Sequence, residues 1–365
     1  MKIQAAVVYE RGLPFEIKEV ELEEPKETEV LVRMAGCGMC HNDLYTKDNG
    51  PTPLPAVFGH EGSGVVERVG SAVTMVAPGD HVVFCSYSCG ACRACLSGHP
   101  AWCEHCDEID FGGFYSDGTK RLKDEAGLDL SCFFGQSSFA TYVVADQRSA
   151  VKVDKDVDLA MLGPLGCGFQ TGAGSVLNVF AAKAGDTIAV FGCGSVGLAG
   201  IMAAKLAGCS TIIGVDLVKS KLDLAKELGA TDIINGNDEP DILAKIMGVT
   251  GGHGLDFTFE TTGVEALLAI AIDSLRRGGA CGTVASTGEK TIGVKLVSLM
   301  GMSRSLVGIV QGDSIPWLFI PKLIEYYKEG RFPIDKLVTY YSFEDINKAA
   351  EDAHTGRVIK PVIRF

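Results

Sequence analysis

No uninterrupted apolar run in the 365-residue sequence approaches the roughly 18 residues that a membrane-spanning helix needs. No membrane partner is expected. Basic residues are scarce too: 33 Lys and Arg stand against 46 Asp and Glu, a formal net charge of −13. That balance disfavours a nucleic-acid surface and adhesion to anionic lipid. Residues 1–12 set Lys2, Glu10 and Arg11 around a short strand-like run without the apolar centre of a secretory signal, so a cytoplasmic location is expected. What is plentiful is apolar sequence, 47% of residues, enough for a large core in about two domains. Glycine numbers 45 and cysteine 13. In a chain of this size in a reducing compartment, clustered cysteines read as metal ligands.

The densest motif is Gly59-His60-Glu61-Gly62-Ser63-Gly64, continued by Gly70 and Val73 as G-H-E-x2-G-x5-G-x2-V. A histidine held at a glycine turn can aim one ring nitrogen at a metal while the other is fixed by a partner. Taken alone, His60 reads more simply as a partly buried histidine. Cys40 upstream and Cys167 downstream change that balance. Two thiolates and one neutral imidazole cancel the charge of a divalent zinc and leave a fourth position open, which is a catalytic arrangement. A second set, Cys89, Cys92, Cys95 and Cys103, has the spacing to close a tetrahedron of thiolates around a structural zinc. Unliganded thiols and an iron–sulfur cluster are the alternatives.

A third motif begins where the apolar strand 187–191 meets Gly192-Cys193-Gly194-Ser195-Val196-Gly197. A helical run to about 206 follows, then a strand 212–215 ending at Asp216. Strand, G-x-G-x-x-G, helix and an acid about 20 residues on make the dinucleotide-binding fingerprint. Asp216 should accept from the adenosine ribose and repel a 2′-phosphate, favouring NAD over NADP; a helix N-cap is its other reading. The βα alternation continues through a helix at 266–275, a turn at Gly278-Gly279 and a strand at 279–284, which implies a doubly wound parallel sheet. Residues 1–35 alternate as short strands of a β-rich lobe. From about 311 the chain is expected to return to that lobe, through helices at 315–329 and 343–352 and a closing strand at 359–363.

These motifs, in this order over nearly the whole chain, resemble those of the zinc-dependent medium-chain alcohol dehydrogenases. Residues 54–58, 136–142 and 162–168 resemble the aryl (benzyl) alcohol dehydrogenase branch. The resemblance implies an α/β fold: a Rossmann NAD-binding domain at 169–309, and a GroES-like catalytic domain with a structural zinc lobe at 1–168 and 310–365. It implies two zinc ions and NAD as cofactors. The implied reaction is reversible hydride transfer between a primary aromatic or allylic alcohol and NAD, giving the aldehyde. It makes Cys40 the ligand and Cys37 a small buried hydrophobe. It gives Asp43, otherwise a helix N-cap, the task of orienting His60, and lets Glu61 approach the metal transiently. His41 and Lys360 would lie near the cofactor pyrophosphate, with a solvated lysine as the alternative for Lys360. Thr171 would lie near the nicotinamide and Lys221 near the adenosine ribose.

Cys85 stands where relatives often carry a bulky pocket residue. Residues 104–138 would border the substrate cleft, and 291–310 would join subunits of a homodimer or homotetramer by strand pairing or else form an interior strand. Two positions depart from the family pattern. Asn42 replaces a Ser or Thr that relays the substrate proton, and Tyr45 replaces a relay histidine. Proton exit is therefore expected through water, with help from the Tyr45 or ribose hydroxyls. Rival readings are secondary or larger cyclic alcohols as substrates and, further off, a non-catalytic zinc and dinucleotide-binding protein or a nucleic-acid-binding zinc module.

Overall fold

The computed structural model describes residues 1–285 and 291–365. The chain divides into two compact units. One comprises Met1–Cys167, Ile315–Glu325 and Ile334–Phe365; the other comprises Gly168–Ser314 and Tyr326–Pro333.

The first unit is built on two sheets. Alternating side chains make Lys2–Val8 and Glu16–Leu22 pair antiparallel, flanked by the short strands Ala56–Val57, Leu122–Lys123 and Asp129–Leu130. The larger sheet runs Ala150–Val153, His81–Phe84, Glu61–Val69, Glu29–Gly38, Lys360–Arg364, Val338–Ser342, with Tyr142–Asp146 also on Glu29–Gly38. Val30, Val32, Met34, Val66, Val82 and Phe84 bury one face of it. Between the sheets lies a second cluster rich in phenylalanine: Phe15, Phe58, Phe133, Phe134 and Phe139.

The second unit holds six parallel strands: Thr187–Phe191, Thr211–Asp216, Asp232–Asn235, Leu255–Glu260, Leu275–Thr283 and Ser305–Gly308. Numbered along the chain, they lie in the order 3-2-1-4-5-6, which is the doubly wound dinucleotide-binding order. The crossover helix Lys219–Leu228 shows why the helices pack as they do. Leu222, Ala225 and Leu228 fall on one stripe and are its buried residues, while its lysines and acids stay out.

Three expectations change in detail. The strand expected at 279–284 starts at Leu275, because the helix Glu265–Asp273 stops earlier than expected and Gly278, at φ +80°, carries the chain through an irregular register instead of a turn. The 343–352 helix is a 3₁₀ turn, Phe343–Asp345, followed by Ile346–His354. Residues 291–310 hold a short helix, Leu296–Met300, and the strand Ser305–Gly308, which among the described residues is the sheet's edge and pairs with Leu275–Thr283 alone. Among the described residues that strand is therefore not an interior one.

Candidate active site and nucleotide site

Cys40 is the N-cap of the helix His41–Asn49. The far end of that helix is clamped by Arg11, whose guanidinium donates to the carbonyls of Thr46, Lys47 and Thr52 at 2.6, 3.0 and 2.5 Å. Asp43 is therefore the third helical residue and not the N-cap. Its fully buried carboxylate has three donors: Cys40 N–H at 2.9 Å, Gly59 N–H at 3.1 Å and His60 Nδ1 at 2.7 Å. One side chain thus closes the helix start and fixes the imidazole. Gly59 is required because its φ is +92° and an added Cβ would lie 2.5 Å from Phe139 N.

The remaining ring nitrogen, His60 Nε2, is buried without a hydrogen-bond partner among the described residues. A buried nitrogen left bare is costly unless a ligand takes it. Its surroundings are further donors of the kind a metal takes. Donor atoms of Cys40, His60, Glu61 and Cys167 all lie within 4.8 Å of one another, and so do those of Cys89, Cys92, Cys95 and Cys103. Two sulfurs with an imidazole suit zinc, and four sulfurs suit a closed zinc site. The first set is already polarised. The hydrogen bond from Cys167 pulls the Cys40 thiol well below the ordinary thiol range, with Lys360 and His60 adding to it. Burial opposes charging of His60, yet the Asp43 carboxylate holds its ring well above the usual range. In the second set, Cys89 Sγ accepts the amide of Cys92 at 3.2 Å, and Cys103 Sγ accepts that of Cys89 at 3.2 Å. The Cys95 and Glu104 amides draw the Cys92 thiol down to about 6.

Around His60 stands a wall of rings that the sequence reading did not single out. Phe134 stacks on the imidazole with centroids 4.5 Å apart, and Phe133 meets it edge-on at 5.6 Å. Phe111 packs against both phenylalanines at 6.0 and 5.3 Å. Phe134 holds φ +53°, a rare conformation for a bulky residue, and its amide is pinned to the Asp110 carbonyl at 2.9 Å. The aromatic doublet Phe133-Phe134 next to Gly135 was the available signal.

The second unit carries the glycine fingerprint. Gly192 turns at φ +94°, and Gly197 lets helix meet strand, since a Cβ there would lie 1.8 Å from the Gly192 carbonyl oxygen. Beside Gly194 the space is open, with nothing within 4 Å of an added Cβ. Room next to that backbone at a helix start is what a pyrophosphate needs. Asp216 accepts the amides of Cys193, Leu217 and Val218 at 2.7, 2.8 and 2.9 Å, so it ties the glycine turn to the end of the second strand.

Residues 26–155 match the family described as alcohol dehydrogenase GroES-like domain, and residues 195–326 that described as zinc-binding dehydrogenase. Geraniol dehydrogenase of Castellaniella defragrans is 41% identical over 364 residues, 99% of this chain and 97% of that protein. The chain belongs to the zinc-binding medium-chain alcohol dehydrogenases. S-(Hydroxymethyl)glutathione dehydrogenase of Saccharomyces cerevisiae is 35% identical over 378 residues, 100% of this chain and 96% of that one. Among solved structures, benzyl alcohol dehydrogenase from Acinetobacter calcoaceticus matches with a TM-score of 0.96 at 41% identity, covering 100% of this chain and 99% of that one. An alcohol dehydrogenase zinc-binding domain protein from Burkholderia ambifaria matches at 0.97 and 46%, with the same coverage. The alcohol dehydrogenase fold, GroES-like with a Rossmann domain, and the zinc and NAD dependence follow from that membership.

Within this alcohol dehydrogenase the other expected residues are distributed as follows. Lys360 is no solvated lysine: it is 1% exposed. Its ammonium donates to both oxygens of Glu61 at 2.9 Å and to the Met39 carbonyl at 3.2 Å. All three N–H groups are engaged, so contact with a pyrophosphate would require one to be released. Burial pushes the Glu61 carboxyl up to about 7 against the pull of Lys360. Cys37 is fully buried in the phenylalanine-rich core and outside the donor set, and Cys85 is buried with its thiol on the Ser149 carbonyl at 3.5 Å. His41 and Tyr45 stack with ring centroids 6.2 Å apart. Asn42 Oδ1 accepts the Thr46 hydroxyl at 3.3 Å. Thr171 lies on the helix Gly168–Gly174, and the half-buried Lys221 on the helix after Asp216.

Proposed function

We propose that this alcohol dehydrogenase interconverts primary aromatic or allylic alcohols and their aldehydes. The observation that carries the reading is the phenylalanine wall beside the bare His60 nitrogen. Flat, unsaturated groups pack well between such rings. The names of two relatives, a geraniol and a benzyl alcohol dehydrogenase, support it.

In this reading Cys40, His60 and Cys167 hold the catalytic zinc, Glu61 stands by as an alternate donor, and Cys89, Cys92, Cys95 and Cys103 hold the structural one. Gly192, Gly194, Gly197 and Asp216 hold NAD, with His41, Thr171, Lys221 and Lys360 as further cofactor contacts. When bound, zinc supplies Lewis acidity to the alcohol oxygen and NAD accepts the hydride. The chain's own groups do the rest. Asp43 holds the imidazole by Nδ1, leaving Nε2 for the metal. Asn42, its oxygen engaged by Thr46, keeps its NH₂ to orient the substrate oxygen. An amide does not pass protons at neutral pH, so the alcohol proton leaves by water, with the Tyr45 hydroxyl or a ribose hydroxyl as helper. The phenylalanines exclude water from the reacting carbon.

The edge Ser305–Gly308, whose outer side has no partner strand among the described residues, together with the exposed Leu296, Val297 and Met300, supports a homo-oligomer formed by strand pairing, a dimer or a tetramer. In this reading six of the thirteen cysteines are zinc ligands and have to stay reduced, which supports a reducing, cytoplasmic setting.

The test is NAD reduction by the zinc-loaded protein with benzylic, allylic, aliphatic and secondary alcohols. Benzylic and allylic substrates should lead in kcat/KM. A lead by secondary alcohols, or no alcohol-dependent NADH with zinc and NAD both bound, refutes the reading.

A further inference from the structure

We infer that Arg148 is a positioning residue for the four-cysteine zinc: its guanidinium pins the turn that delivers Cys89 and sets a positive charge beside the loaded site. The inference rests on the reading above that Cys89, Cys92, Cys95 and Cys103 hold zinc.

The ligand loop is tied to itself through sulfur. Cys103 Sγ accepts the Cys89 amide at 3.2 Å, and Cys89 Sγ accepts the amides of Ala91 and Cys92 at 3.4 and 3.2 Å. These contacts depend on where the chain enters at Ser88 and how it turns at Gly90. One side chain sets both. Arg148 Nε donates to the carbonyl of the buried Ser88 at 2.7 Å. Gly90 turns at φ +71°, and an added Cβ there would lie 2.1, 2.2 and 2.4 Å from Arg148 Nη2, Cζ and Nη1. Such even spacing puts Gly90 over the flat face of the guanidinium, in a seat that only glycine fits.

The arginine is itself held. It lies in the 3₁₀ turn Gln147–Ser149, between the strands Tyr142–Asp146 and Ala150–Val153, and the Trp317 ring is 5.7 Å from its Cζ. Among the described residues its guanidinium has no carboxylate partner. The neighbouring Asp146 is engaged by the Arg148 amide at 2.9 Å and the Thr28 hydroxyl at 2.8 Å. A half-buried cation without a counter-charge calls for an anion beside it. Four thiolates around one divalent zinc leave two net negative charges, whereas two thiolates and an imidazole leave none. The loaded four-cysteine set is thus the missing anion. Arg93 lies within the motif but is exposed, so water screens its charge.

The test follows zinc loss from the fully loaded protein to 1,10-phenanthroline, an uncharged chelator. Cys40→Ala, which lacks the other zinc, assigns the phases. Arg148→Gln keeps an N–H donor without the charge and should release the four-cysteine zinc about tenfold faster, with the other zinc leaving at its wild-type rate. Arg148→Lys should restore most of the hold. A general loss of packing would loosen both zincs and would not tell lysine from glutamine. The wild type gives a reading that needs no variant to fold: about 0.5 M salt should speed loss of the four-cysteine zinc and leave the neutral site unmoved. An unchanged rate in Arg148→Gln, both zincs loosening together, lysine behaving as glutamine, or salt-independent loss overturns the inference. A wild type whose four cysteines hold no zinc fails the reading beneath it, whereas two zincs with any of those results fails the inference alone.

Discussion

Asp43→Asn separates the two metal sites. In the wild type one carboxylate oxygen takes His60 Nδ1–H and Gly59 N–H, at 2.7 and 3.1 Å, and the other takes Cys40 N–H at 2.9 Å. Asparagine keeps one acceptor and places an NH₂ at the other position. The less harmful orientation keeps the oxygen on His60 and turns the NH₂ toward Cys40 N–H. Two donors then face each other where the side chain has no exposure. An unsatisfied buried group costs about 1–3 kcal/mol. The imidazole also loses the negative charge that raises its basicity, and such losses weaken metal binding by about 10–100-fold. Chelator competition and metal analysis read the result directly. One zinc per chain should loosen by that factor, while the one on the four cysteines keeps its wild-type affinity. Two zincs that stay within twofold of wild type would refute the reasoning, and so would two that loosen together.

The glycine fingerprint makes a paired prediction. Gly197→Ala drives a Cβ into the Gly192 carbonyl and should lower the melting temperature, whereas Gly194→Ala points into open space and should keep stability but weaken NAD binding, both read by thermal unfolding with and without NAD. Asp216→Asn should weaken NAD and narrow its advantage over NADP in kcat/KM; a wild type that prefers NADP contradicts the assignment. Asn42→Leu should lower kcat more than it raises KM, while Asn42→Thr keeps activity; an unchanged kcat for the leucine variant removes residue 42 from the chemistry. Arg121→Met leaves Glu29 buried, having lost contacts at 2.6 and 3.1 Å, and should destabilise the first unit by about 3 kcal/mol in urea titration, with Glu29→Gln restoring part of it.

Much of this was legible because backbone chemistry forces residue types. Only glycine tolerates the turn at Gly59 or Gly192, so those motifs survive as readable strings, and the cysteine spacing is set by the reach of one metal. The six-strand order follows from βα alternation. What stayed hidden depends on contacts distant in sequence. The Lys360–Glu61 pair joins residues 299 apart, and no local pattern separates it from a solvated lysine. Phe111, Phe133 and Phe134 belong to the 104–138 stretch expected at the cleft border, but nothing local marks them out until folding stacks them beside His60. The strand Leu275–Thr283 was clipped because Gly278-Gly279 is a turn signal by composition, while the sheet absorbs it as an irregularity.

The place of Lys360–Arg364 in the larger sheet has a consequence for the order in which the molecule can assemble. This strand lies between Glu29–Gly38 and Val338–Ser342, so the first unit is interrupted along the chain by the whole six-stranded sheet. During synthesis the nucleotide unit has nearly all its parts before the catalytic unit has its last. Before residue 360 emerges, the Lys360 ammonium that donates to Glu61 and the strand beside Glu29–Gly38 are both still to come. Arrival of the final strand pairs that carboxylate and seals the site in one step. Metal capture competent for chemistry is thus set to follow the arrival of Lys360–Arg364, and a nascent protein halted before 360 should hold its four-cysteine zinc before it holds the other.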